Sequence, residues 1–538
     1  MDKSISSKWV WVSDLQDGTY RNPVLYADYS DPDVIRVGGD FFMVASSFSF
    51  MPGLPVLHSK DLVNWRVISY AVQRLPFPNY NQPEYGKGVW APSIRFHDNR
   101  FRVFFSTPDE GIFMTTSSDP FKGWEPLTHV KQTRGWIDPC PFWDDDGKAW
   151  LVNAFAKSRI GFKSILHLSP MKPDGTALLD EGVNIFDGTL KHPTIEGPKM
   201  YKRNGFYYIF APAGGVKFGW QTVLRSKNIN GPYEDKIVLH QGGTDINGPH
   251  QGGWVDTEAG GHWFIHFQDK DAYGRITHLQ PMRWVDDWPL IGEELKEDGI
   301  GEPVQRYKKP VEVHCPVQVP ETSDSFEGEH LGMQWQWNAN PQPCWFSLKE
   351  RQGFLRLYNG NWSNVEKPLL YHTPNILTQL FQGPAFSACA KLRFYPAETG
   401  DMAGLAVLGN EYAAVVIERA SKGNRIVFLQ GAVERGIETR EDLGEAEGAL
   451  SARDKFSDNR GEMGFASDNT VFFRVTVHEG GFCTFSYSFD GECFIEVKHS
   501  FVAVPGAWVG ARLGIFARNA QITNSLGHAD FDWFRVEK

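Results

Sequence analysis

The chain has 538 residues, several times the roughly 150 of a typical domain, so more than one core is expected. Its 54 basic and 65 acidic side chains leave a formal charge of −11 with no basic block, which disfavours nucleic acid and anionic membrane surfaces as partners. Aromatic residues reach 14%, a surplus that favours β architecture and ligands that stack on rings, and no apolar run is long enough for a membrane-spanning helix.

The opening stretch, Met1 to Trp9, carries no apolar run after its charges and does not read as a signal peptide. The expectation is a cytoplasmic protein, or a periplasmic or secreted one whose leader has been removed. From residue 33 to 290 one pattern recurs five times: an apolar strand, a Gly/Asn/Asp turn, then a strand rich in Phe, Tyr and Trp. Asp33-Val34-Ile35-Arg36 opens the first copy and Ser93-Ile94-Arg95-Phe96 the second. Pro141-Phe142-Trp143, Lys199-Met200-Tyr201 and Gly253-Trp254-Val255 open the other three. Starts fall roughly 50–60 residues apart, a propeller-like spacing. An all-β fold with a five-bladed β-propeller over 1–298 is predicted, a large sandwich being the alternative.

Prolines 303, 310, 316 and 320 punctuate 299–322, which reads as a linker. From 323 to 538 short alternating strands resume without the repeat, and a β-sandwich of jelly-roll or lectin-like type is predicted. Six cysteines without short paired spacing suggest neither a zinc site nor disulfides, but free, mostly buried thiols. Asp324, Asp530 and Asp532 could make a Ca²⁺ site, although solvated acidic surface is the favoured reading.

In a propeller, the segments just before each innermost strand converge on one opening. Those segments are Ser30-Asp31-Pro32, Trp90-Ala91-Pro92, Ile137-Asp138-Pro139, Glu196-Gly197-Pro198 and Pro249-His250-Gln251. Singly, an Asp-Pro or Glu-Gly-Pro is a common turn. At equivalent points of five repeats, three acids that repel one another need a reason to be together. Two carboxylates across a pocket suit glycosidic cleavage, one giving a proton and one activating water, with roughly 6.5–9.5 Å between them for inversion. The third can raise the acid's pKa, and an indole can stack on a sugar face.

Together with Asn22-Pro23-Val24-Leu25 and the run from Pro55 to Trp65, these motifs resemble family 43 of the glycoside hydrolases over roughly 22–292. That family includes β-xylosidases and α-L-arabinofuranosidases. The C-terminal segment resembles the sandwich of its larger β-xylosidase-like members, where that domain lends a loop to the pocket. The resemblance implies an inverting exo-glycosidase acting on oligosaccharides from xylan or other hemicelluloses. Asp31 would be the general base, Glu196 the general acid and Asp138 the carboxylate that tunes the acid. It further implies Trp90 and Phe48 as stacking walls and Arg283 as a contact to sugar hydroxyls or carboxylates. His250 would hold a structural Ca²⁺ through water, with no cofactor needed for the chemistry. Pro249 and Gln251 depart from the Gly and Ala found beside that His in other members.

Two other readings stay open on sequence: a non-catalytic carbohydrate-binding propeller, and a related five-bladed fructan hydrolase that retains configuration. The fructan enzymes typically carry Asn-Asp-Pro-Asn and Arg-Asp-Pro, where this chain has Ser30-Asp31-Pro32-Asp33 and Ile137-Asp138-Pro139. Oligomeric state is not legible.

Overall fold

Glycine- and aspartate-rich turns join strands short enough to fold on their immediate neighbours, and the result is five antiparallel four-stranded sheets in chain order. A computed structural model of the protein describes residues 9–311, 315–360, 362–365, 369–446, 469–519, 521 and 525–538. Met1 to Lys8, on which the signal-peptide reading rests, and 312–314 of the expected linker lie outside the described residues.

The innermost strands are Asp33–Val37, Trp90–His97, Trp136–Trp143, Lys199–Arg203 and His250–Asp256. Each pairs with the next strand of its own blade, so blade identity is a local property of the chain. Apolar side chains fill the spaces between blades. Ile137, Val152 and Leu166 of the third blade pack with Met200, Ile209 and Leu224 of the fourth, all buried. Tyr208, Phe210 and Val223 of the fourth meet Phe264, Met282 and Ile291 of the fifth. The core is therefore a ring of inter-blade layers, and the axis is left to polar side chains.

The two ends of this unit meet. Thr19–Arg21 pairs antiparallel with Arg306–Lys308, and Asn22 Nδ2 donates to Leu279 O and Val304 O, each at 2.8 Å. Part of the expected linker is thus a strand. Gly253 lies so close to the first blade that a Cβ there would stand 2.7 Å from Asp33 Oδ1.

The chain divides into two compact units. One comprises Trp11–Leu75 and Tyr85–Pro320; the other contains Glu321–Lys538 and takes in Pro76–Glu84. In the second unit, two seven-stranded antiparallel sheets form a sandwich. Phe386–Tyr395 shows the alternation that one buried face demands, with Phe386, Ala388, Ala390, Leu392 and Phe394 inside. The last strand, His528–Glu537, inserts between Leu355–Tyr358 and Phe386–Tyr395.

Two expectations are corrected. Of the free cysteines, Cys140 and Cys483 are buried, Cys315 and Cys389 are half-buried, and Cys344 and Cys493 are exposed. Each of the three sandwich aspartates has a side-chain partner, with Asp530 withdrawn from solvent and Asp324 and Asp532 half-buried, and they are not gathered round a metal. Asp530 is fully buried against Arg351 and Arg356, Asp532 pairs with Lys391 at 2.6 Å, and Asp324 accepts from Trp335 Nε1 at 2.8 Å. Among the described residues no helix is long and apolar enough to cross a membrane.

Candidate active site

Every innermost strand begins with the same kink. Asp31, Ala91, Asp138, Gly197 and Gln251 occupy equivalent positions, with φ of 52°, 23°, 56°, 58° and 32°. Proline follows four of them and Gly252 the fifth. The strand pairing skips at this point in the second, third and fifth blades. Left-handed backbone is unfavourable for a residue with a side chain, by about 1–3 kcal/mol, and is retained where surrounding structure overrides it. The candidate residues gather at this point: Asp31 and Asp138 sit at the kink, and Glu196 and His250 one residue before it. Glycine meets the demand at 197 for a second reason: a Cβ there would lie 2.7 Å from the Gln251 side chain.

Asp31 is buried and held by three donor groups. Its Oδ2 accepts from Ser30 Oγ at 2.8 Å and Ser46 Oγ at 2.7 Å, and Arg275 Nη1 reaches Oδ1 and Oδ2 at 3.0 and 3.1 Å. Ser46 Oγ also accepts the Ala91 N–H at 2.7 Å, tying the second blade's kink to the first. Charge-assisted bonds of this kind fix the carboxylate's position and orientation. Oδ1 carries a single one of them, so a lone pair stays open for a water.

Asp138 sits deeper and is fully buried, and its Oδ2 accepts the Gly197 N–H at 2.8 Å. That bond fixes the backbone next to Glu196. Burial comes first in pushing the Asp138 carboxyl up to about 8, and the neighbouring charges of Glu196 and Asp31 add to it. Glu196 is the most open of the three, its side chain 27% exposed, and its Oε1 meets His250 Nε2 at 3.0 Å. Oε2 is left to face a substrate. Three carboxylates from three blades therefore share one end of the axis, two of them gripped and one accessible.

The remaining sequence-predicted residues divide. Phe48 and Trp90 are brought together, ring centroids 6.0 Å apart, and the Arg275 guanidinium lies 5.9 Å from the Phe48 ring. Arg283 is not brought to the site. It lies eight residues along the strand Arg275–Val285, about 26 Å away at strand rise, is 56% exposed, and pairs with Glu294 at 3.2 Å. The basic residue at the carboxylates is Arg275, at the opposite end of that strand. Register was the available signal, because Arg275 pairs with Asp269 and lies at the same end of the fifth blade as His250. Ser46 and the His250–Glu196 contact were also missed.

His250 is not placed as a direct calcium ligand, and the described residues show no site for the expected ion. Ca²⁺ takes about six to eight oxygen ligands. The ring's Nε2 is engaged by Glu196, and its buried Nδ1 has no partner. Among the described residues no group of three or more His, Cys, Asp and Glu side chains could hold a metal ion.

A family model described as glycosyl hydrolases family 43 matches residues 20–289. The chain belongs to family 43 of the glycoside hydrolases. A second model, the beta-xylosidase C-terminal concanavalin A-like domain, matches 323–537 of this family 43 enzyme. The enzyme is 41% identical over 503 residues to a protein named putative beta-xylosidase from Xylanibacter ruminicola, covering 93% of this chain and 86% of that one. It is 28% identical over 567 residues to a non-reducing end alpha-L-arabinofuranosidase from Bacteroides ovatus, covering 98% and 96%. The crystal structure of the GH43 BlXynB protein from Bacillus licheniformis superposes with a TM-score of 0.79 at 26% identity, covering 96% and 99%. The propeller, the sandwich and the hydrolase reading agree with these findings.

Proposed function

We propose that this enzyme is an exo-acting, inverting glycosidase that releases terminal xylose, and in second place arabinofuranose, from hemicellulose-derived oligosaccharides. The reading rests on one observation: Asp31, Asp138 and Glu196, from three blades, share one end of the axial channel in environments that separate their roles. The names of the Xylanibacter and Bacteroides relatives support the two sugars in that order.

Protonated Glu196 delivers its proton through Oε2 to the leaving oxygen while His250 steadies Oε1. Asp31, held in place by Arg275 and two serine hydroxyls, takes a proton from water at Oδ1 as that water attacks the anomeric carbon from the opposite face. Attack from that face inverts the configuration. Asp138 orients Glu196 through the Gly197 N–H, and its charge discourages early loss of the acid's proton. Phe48 and Trp90 supply ring surface for the apolar face of the sugar. No step runs through a metal.

The test is hydrolysis of xylobiose by Glu196→Gln and Asp31→Asn, with the anomer of the first product followed by NMR. Each variant is expected to lose about 10²–10⁴-fold in kcat while staying folded. Near-wild-type turnover in either, or a retained anomer from the wild type, overturns the reading. Parallel rates on 4-nitrophenyl β-D-xylopyranoside and α-L-arabinofuranoside rank the two sugars.

A further inference from the structure

Two residues beyond each kink, the innermost strands place one position apiece in the next tier of the channel: Asp33, Ser93, Cys140, Lys199 and Gly253, all buried. The tier is unevenly charged. Arg95 donates to Asp33 Oδ2 at 2.6 Å and to Cys140 Sγ at 2.9 Å, so the acid of this tier has its own guanidinium. Lys199 is different. Its Nζ donates to two neutral oxygens, Pro92 O and Ser93 Oγ, each at 2.8 Å, and among the described residues no carboxylate lies within 4.0 Å of it.

A fully buried ammonium without a contacting counter-ion is costly unless negative charge stands near. Pairing the charges along the axis shows where that charge is. Asp33 is matched by Arg95 and Asp31 by Arg275. Asp138 and Glu196 share the remaining negative charge, with His250 beside Glu196. Lys199 follows Gly197, whose N–H Asp138 accepts, by two residues. We infer that Lys199 is a positioning residue of the catalytic apparatus: its buried ammonium holds Asp138 ionised, so that the proton shared by the two acids resides on Glu196.

The inference rests on Glu196 being the acid and Asp138 its partner. Burial, Glu196 and Asp31 all drive a proton onto Asp138, where it is useless; the Gly197 N–H and the Lys199 charge oppose them. The other ionisable groups around the pair are Arg275, His250, the Asp33–Arg95 pair, Cys140 and Tyr201.

The experiment compares Lys199→Gln, which keeps a donor, with Lys199→Met, which does not, measuring kcat and KM for xylobiose from pH 5 to 9. Both are expected to lose about tenfold in kcat with KM little changed, because the proton moves to Asp138. The alkaline limb should rise by about one pH unit, since a positive charge that eased proton loss is gone. In an Asp138→Asn background the further change of Lys199→Gln should shrink to less than twofold, with no movement of the limb. Wild-type kcat and pH profile in folded Lys199→Gln overturns the inference, as does full rescue by Gln where Met is impaired, which leaves Lys199 only a hydrogen-bond role. Should neither variant fold, ¹⁵N-lysine NMR of the wild type decides: an Nζ that is a neutral amine anywhere between pH 5 and 9 overturns it, and an ammonium throughout supports it. Failure of the underlying reading looks different, because Glu196→Gln would then keep its activity.

Discussion

Asp138 ties stability to activity in a way that can be measured. Its carboxyl is pushed up to about 8 in the folded protein, against an ordinary value of 3.8 that the unfolded chain would show. Between these values the Asp138–Glu196 pair of the native state holds a shared proton that the unfolded state has released, so stability falls as pH rises from about 4 to about 8. The displacement of about four units, at ~1.4 kcal/mol each, sets a ceiling of about 6 kcal/mol on that loss. Since Asp138 and Glu196 exchange one proton, and replacing buried charge by neutral groups commonly returns about 1–4 kcal/mol, a gain of about 2 kcal/mol is expected for Asp138→Asn at pH 8.5. At pH 5 the Asp138–Glu196 pair of the wild type still holds its shared proton, the two carboxyls do not repel, and the gain should vanish. Thermal scans of the full chain at one scan rate read this as Tm of the variant minus that of the wild type: near zero at pH 5 and about 5 °C at pH 8.5. The same variant should lose activity, with its alkaline limb moved to lower pH, because the neighbouring charge that holds the acid's proton is gone. A Tm difference of equal size at both pH values, or a variant less stable at pH 8.5, would refute the reasoning.

Arg275→Met strips a buried guanidinium from Asp31 and should lower kcat/KM about 10²–10³-fold, whereas Arg283→Met, at an exposed ion pair, should stay within about twofold. Steady-state rates on one substrate compare the two, and similar losses would reject the assignment of Arg275. In the sandwich, Asp530→Asn leaves Arg351 and Arg356 without their buried partner and should cost about 3–5 kcal/mol at neutral pH, read as the Tm of that unit. Burial works against the Asp530 charge, but the two arginines prevail and hold its carboxyl below the usual range. Its contribution is therefore full above about pH 4 and fades as pH falls through the lowered value, so the gap should narrow in acid.

The sequence by itself determined the number of blades, their boundaries and the three carboxylates, and the reason is locality. Each blade is built by neighbouring strands, so one short signature per repeat reports both the strand and the kink before it. Asp31, Asp138 and Glu196 were legible because position within a repeat fixes position around the axis. What surrounds them was decided by tertiary structure. Arg275 reaches Asp31 across 244 residues and His250 reaches Glu196 across 54. Residue type does not separate Arg275 from Arg283, which lie on one strand; only the pairing register, which sets the end of the blade each occupies, does. The sandwich shows the same limit. Its strands were visible as alternation, but the insertion of His528–Glu537 between Leu355–Tyr358 and Phe386–Tyr395, and with it the burial of Asp530 against two arginines, depends on pairing between distant segments. Lys199 reads as an ordinary lysine after a turn. Five strands closing around an axis are what bury its charge beneath the acids.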